Sequence, residues 1–379
     1  MIVRQFLHWI QTASACGRAD ATTALARAYL YSDLSTHDRE AAEGAMVMML
    51  DDPSPLVRRA LADVLADSEA SPQSIILALT ADLPEIAVHV LERSPLLLDA
   101  DLVDSAGAGD PVLQAAIARR PYLSCVVSAA LAEVGSAEAC LILIENMAAA
   151  IAPFSLERIA ERFGHLAALR EAMFAREDLP ASLHQRLAVK LGESLITFVT
   201  SRDWMRPDRA RNAVQEACDK VTVAIAADAP DEEVQPLVRY LMDSGQLNVC
   251  LLLRALLSGN IALFEEALAE LTGLPLARVA RLVHGRSLGG LRAVLARAGF
   301  PESTFPAIWA AIEAEREVGY VGDFGSAARL KRRMVERVLT QCEDDDTNTV
   351  APLLGLLRRF ALEATREEAR QFCDELAAA

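Results

Sequence analysis

Lysine is nearly missing from this chain. Of 379 residues only 190, 220 and 331 are lysine, so almost all positive charge is arginine. With alanine so abundant, this bias reads as the stamp of a GC-rich genome rather than of a site. Aromatic residues are also scarce, at 5%. A β-sandwich would draw on Val, Ile, Thr and Tyr, whereas a mixture dominated by Ala and Leu suits close helix packing. Positive charge is outweighed, with a formal net charge of −16. That balance argues against nucleic-acid binding, which needs a basic footprint, and leaves a basic or neutral partner. No uncharged apolar run reaches the roughly 18–20 residues of a membrane span. The longest candidate, Leu247 to Leu257, is interrupted by Arg254. The N-terminal Met1-Ile-Val-Arg-Gln-Phe-Leu-His-Trp-Ile has neither the apolar core nor the cleavage site of a signal peptide. Cysteines stand at 16, 125, 140, 218, 250, 342 and 373, with no C-x-x-C pair. Scattered in apolar stretches, they read as reduced small hydrophobes of a cytoplasmic protein. The six histidines show no H-x-x-x-H or H-E-x-x-H spacing, so neither a metal nor any other cofactor is expected.

What the chain does have is a helical repeat. Asp52-Pro-Ser-Pro-Leu-Val57-Arg58 is followed by Asp82-Leu-Pro-Glu-Ile-Ala87 and then by Asp110-Pro-Val-Leu-Gln-Ala115. The aspartates lie 30 and 28 residues apart, and each opens an apolar helical stretch. Such a period, with helices and no strands, points to an all-α stacked solenoid. Ser54-Pro55 and Ser71-Pro72 are start signals, a cap residue followed by proline at the first helical position. Further helices are expected at about 84–93, 99–106, 111–120, 122–133, 136–151 and 155–163. Beyond residue 200 the regularity fades. We therefore divide the chain into a repeat region, 1–200, and a C-terminal helical region, 201–379. The latter is expected to hold helices at about 207–227, 232–243, 246–257, 260–271, 275–283, 288–297 and 303–316. A basic helix over 326–342 and an amphipathic terminal helix over 348–376 complete it.

The stretch Asp52 to Asp67, the Arg119-Arg120-Pro121 break and Asn146-Met-Ala-Ala-Ala-Ile151 together resemble the α-proteobacterial domain family of unknown function DUF2336. The resemblance covers most of the chain. It implies a bacterial protein with a HEAT-like all-α superhelix and no established activity. Locally, Asp52, Val57 and Arg58 resemble the signature of the second helix of a HEAT repeat. The next two units keep the aspartate but place Val88 and Ala116 where Arg58 stands.

Several features bear on chemistry. Gly285-Arg-Ser287-Leu-Gly289 matches the G-x-S-x-G nucleophile elbow, which requires a strand entering a strained turn. Here helical sequence lies on both sides, so a helix–helix loop is expected. Gly107-Ala-Gly109 follows no strand and reads as a turn. The acidic run 343–346 lacks the alternating ligands of a calcium loop and reads as solvated. Arg329, Lys331, Arg332 and Arg333, with Arg337, form the one dense basic cluster, able to hold an anion. Arg58-Arg59 and Arg119-Arg120 are arginine pairs at inter-repeat positions, available to a partner or to the stack itself, where Arg58 can reach Asp52 or Asp82. Asn146, placed mid-helix among apolar residues, can bond a neighbouring helix or the backbone of a bound peptide. The terminal helix can cap the solenoid or pair between subunits in a homodimer. The resulting expectation is a non-catalytic interaction or regulatory scaffold binding a protein or peptide. The alternative is a small-ligand or nucleotide sensor using an arginine-rich helix.

Overall fold

A computed structural model of the protein describes residues 6, 8–285, 287–318, 335–336, 338–340 and 351–378. The chain is all-α, and the one extended pairing among the described residues is a single bridge between Leu123 and Ala149. It forms two compact units that divide between Leu179 and Pro180.

The first unit carries α1 (Ala15–Tyr31), α2 (Thr36–Leu50), α3 (Pro55–Leu65), α4 (Gln73–Thr80), α5 (Pro84–Arg93) and α6 (Asp99–Gly107). It continues with α7 (Pro111–Ala118), α8 (Cys125–Val134), α9 (Ala137–Glu145), α10 (Pro153–Phe163) and α11 (Ala167–Phe174). Each odd-numbered helix packs on the odd helix before it, from α1 through α11. In the other row α2 packs on α4, α6 on α8 and α8 on α10. The unit is therefore a stack of helix pairs, each burying the apolar face its neighbour exposes.

Local sequence explains several starts, although Ser54 makes no side-chain cap bond and Pro72 stands before α4 as its cap rather than at its first helical position. Pro55, Pro84 and Pro111 each occupy the first turn of an odd-row helix, where their missing N–H costs nothing. The Asp110 side chain accepts from Val112 N and Leu113 N, capping α7. Val57, Leu61 and Leu65 then recur every four residues and are fully buried, as are Ala87, Val90 and Leu91 in the next odd helix. Each such branched side chain contributes about 1.5–3 kcal/mol on burial. Ala62, Ala87 and Ala116 at the contacts let the short helices approach closely.

Two expectations change here. The helix expected over 136–151 ends at Glu145, and Asn146 is its C-terminal cap rather than a mid-helix residue. Asn146 Oδ1 accepts from Ala148 N at 3.1 Å, turning the chain locally, and Ala150 N donates to Leu123 O at 3.0 Å, drawing it into an extended course. Helix α11, and the long helix that opens the second unit, stood outside the sequence reading.

The second unit begins with two long helices packed on each other, α12 (Ala181–Ser201) and α13 (Pro207–Asp228). Gly192 makes their approach possible, since a Cβ there would lie 2.7 Å from Val214 Cγ1. Then follow α14 (Asp231–Asp243), α15 (Val249–Leu257), α16 (Ile261–Thr272), α17 (Leu276–Val283), α18 (Leu288–Arg297), α19 (Phe305–Val318) and the terminal α20 (Ala351–Ala378). Residues Leu251 to Leu257 are all buried, so α15 is the central helix of this unit, with α13, α16 and α19 against it.

Candidate functional site

Arginines of the first unit fall into two rows, in which the sequence pointed to Arg58 and Arg120 but not to Arg18, Arg162 or Arg176. On the N-terminal side, Arg18 Nε and Nη2 donate to both oxygens of Asp52 at 2.7 and 2.8 Å. Arg58 repeats the arrangement one unit on, with Nε and Nη2 on Asp82 at 2.7 and 2.9 Å and Nη1 on the Asp52 carbonyl at 2.6 Å. Arginine and aspartate are both largely buried in each pair, and the fork geometry is bidentate. The hydrogen bond from Arg18 holds the Asp52 carboxyl below its ordinary range. Burial pushes Asp82 upward, but the bonds from Arg58 and the Leu83 amide outweigh it, and its pKa is also lowered.

Val88 and Ala116 end this row, and a second one takes over at the helix C-termini. Arg120, itself buried, donates to Leu91 O at 2.6 Å and Ser94 O at 2.7 Å. Asn146 Nδ2 donates to Ala118 O at 2.9 Å and Arg120 O at 2.8 Å. Arg176 Nη1 reaches Ile144 O at 2.9 Å and is held by Asp178. In the other layer Arg162 bonds Ala132 O and Gly135 O at 2.7 and 2.8 Å. The last carbonyls of a helix have no partner within it, and a cation there also opposes the negative end of the helix dipole. Each unit thus uses one long side chain to satisfy the helix end of the unit before it. Burial lowers the Arg120 pKa, countered in part by Asp99.

Arg58, Arg120 and Asn146 are consequently engaged inside the stack. Their sequence neighbours differ: Arg59 is exposed, with Asp63 at 3.6 Å, and Arg119 is exposed. Arg329, Lys331, Arg332 and Arg333 lie outside the described residues, as does Arg337. Ser287 caps α18 by accepting from Gly290 N, so the G-x-S-x-G match is a helix–helix loop. The terminal helix docks within its own unit through Leu357, Phe360 and Ala364, all buried. No cluster of three or more potential metal ligands occurs among the described residues, and no helix there is long and apolar enough to cross a membrane.

The first unit also exposes large apolar side chains. Leu98, Tyr122, Val126, Met147 and Phe154 are between 61% and 71% exposed. Leu98, Val126 and Phe154 stand 28 residues apart, each at or beside the first turn of α6, α8 or α10. These helix starts lie side by side: Ser124 Oγ donates to Asp99 Oδ2 at 2.7 Å, and Leu123 bridges Ala149. The spacing was present in the sequence, but without the fold nothing distinguished these residues from the buried apolar positions around them.

No curated protein and no solved structure matches the chain. Residues 86–347 match the family model described as an uncharacterised protein conserved in bacteria, DUF2336, and the chain belongs to that family.

Proposed function

We propose that this is a non-catalytic interaction protein that binds a protein or peptide along the apolar row formed by Leu98, Tyr122, Val126, Met147 and Phe154. The observation that carries the reading is this repeat-spaced exposure of large apolar side chains on adjoining helix starts. Contiguous exposed apolar surface marks interaction sites, and aromatic residues and methionine are enriched in them. Beside Phe154 stand Glu133, Glu157 and Glu161 with Arg158, which pairs with Glu133, an excess of acid that favours a partner with apolar anchors on a neutral or basic background. The six described cysteines are free thiols, which supports a reducing compartment, the cytoplasm.

The test compares tagged wild-type protein with a Val126→Glu/Phe154→Glu double variant in quantitative affinity purification from the native cell. Both positions are exposed, so the melting temperature is expected to hold. One protein retained by the wild type and lost by the variant is the expected result. Equal retention by both proteins refutes this surface as the binding site.

A further inference from the structure

The second unit contains a cavity of about 600 Å³, lined in part by Lys220, Arg254, Asn260, Glu363, Arg366 and Arg370. Its volume falls within the range of small-molecule sites. Among the described lining residues four cations face one carboxylate, in a chain whose net charge is −16. Arg254 is the fixed member. It is buried on α15, its guanidinium lies 4.2 Å from the centre of the Phe360 ring, and its Nη1 donates to Glu363 Oε2 at 2.7 Å. Lys220 Nζ takes the other oxygen of Glu363 at 3.0 Å. That carboxylate is therefore shared between two cations, while Arg366 and Arg370 form no ion pair among the described residues. The walls also carry two buried donors without a hydrogen-bond partner there, Arg254 Nε and Asn260 Nδ2. Val221, Val223, Ala224 and Ala227 of α13 add apolar surface to the lining.

Like charges in excess of their counter-charge raise the energy of the folded chain, and an anion that binds there relieves the repulsion. Guanidinium forks match phosphate oxygens two at a time. We infer that this cavity binds an organic phosphate of nucleotide size, its phosphates held by Arg366, Arg370 and Lys220 and its body laid on the α13 wall. The assignment is independent of the apolar row in the first unit.

The test is isothermal titration of the full chain with ADP and with pyrophosphate at low ionic strength. ADP is expected to bind more tightly than pyrophosphate, because only ADP has a body for the apolar wall. Arg366→Gln/Arg370→Gln is the informative variant, since both side chains are exposed and their loss leaves the Arg254–Glu363 pair in place. Each lost charge-assisted contact is expected to weaken ADP about tenfold. Arg278→Gln/Arg281→Gln, which removes the same charge outside the cavity, is expected to leave the affinity within about twofold. Absence of binding by either compound at millimolar concentration overturns the proposal, as does equal weakening by the two double variants. Equal affinity for pyrophosphate and ADP overturns the role of the apolar wall.

Discussion

Replacing Arg120 by methionine isolates the bonds that join one repeat to the next. The side chain is buried, and its two terminal nitrogens bond the carbonyls of Leu91 and Ser94 at the end of α5. Methionine keeps much of the volume but leaves both carbonyls without these donors. Each bond from a charged donor contributes about 1.5–3 kcal/mol. Relief of the guanidinium's desolvation cost returns part of that, leaving a net loss of about 3 kcal/mol. For a unit of this size the melting temperature falls by about 2–4 °C per kcal/mol, hence by about 6–12 °C. The adjacent Arg119→Met is the matched control. It changes the same residue type one position away, but on an exposed side chain, and is expected to stay within about 0.5 kcal/mol of wild type. Melting followed by circular dichroism gives the magnitudes. Hydrogen exchange adds location, since the last turn of α5 should lose protection first in Arg120→Met. Equal melting of the two variants would refute the assignment of Arg120 to the inter-repeat bond. So would unchanged protection of that turn.

Two further outcomes follow from the same geometry. Asp52 and Asp82 have pKa values held below their ordinary 3.8, so their contribution is complete above that value and is lost as pH falls through the lowered ones. Acid unfolding of the wild type should therefore steepen below about pH 4, and Asp82→Asn should be less stable at neutral pH with a shallower acid slope. An unchanged slope in urea melts across this range would contradict the Arg58–Asp82 assignment. Burial pushes the Cys140 thiol up to about 11, whereas Cys125 is exposed. An aromatic disulfide reagent at pH 8 should modify Cys125 promptly and Cys140 only at the rate at which the unit opens.

The sequence by itself determined the all-α class and most of the helices, α11 and α12 excepted. Proline at the first turn, as at Pro84, and a capping Ser, as Ser287 before Leu288, act within a few residues, so Pro84–Arg93 and Leu288–Arg297 were legible to the residue. The family was legible too, from the repeat and the Arg119-Arg120-Pro121 break. Stops were less so. The helix expected to run on through the alanine-rich stretch ends at Asn146, whose Oδ1 accepts from Ala148 N, and a bond from Ala150 N to Leu123, distant in sequence, holds the extended course beyond it. For Arg58 the sequence already offered Asp52 and Asp82 as partners; for the Arg119-Arg120 pair tertiary structure alone decided which member is structural. Arg58 and Arg120 turn inward toward carboxylates and carbonyls of other units, while Arg59 and Arg119, identical in chemistry, turn outward. It also decided where function can lie. Whether an apolar residue is core or surface depends on what packs over it, so Leu98, Val126 and Phe154 became a row only when α6, α8 and α10 were set side by side. The cavity of the second unit joins residues from 220 to 370, a juxtaposition that no local pattern encodes because the helices that bring it about are far apart in the chain.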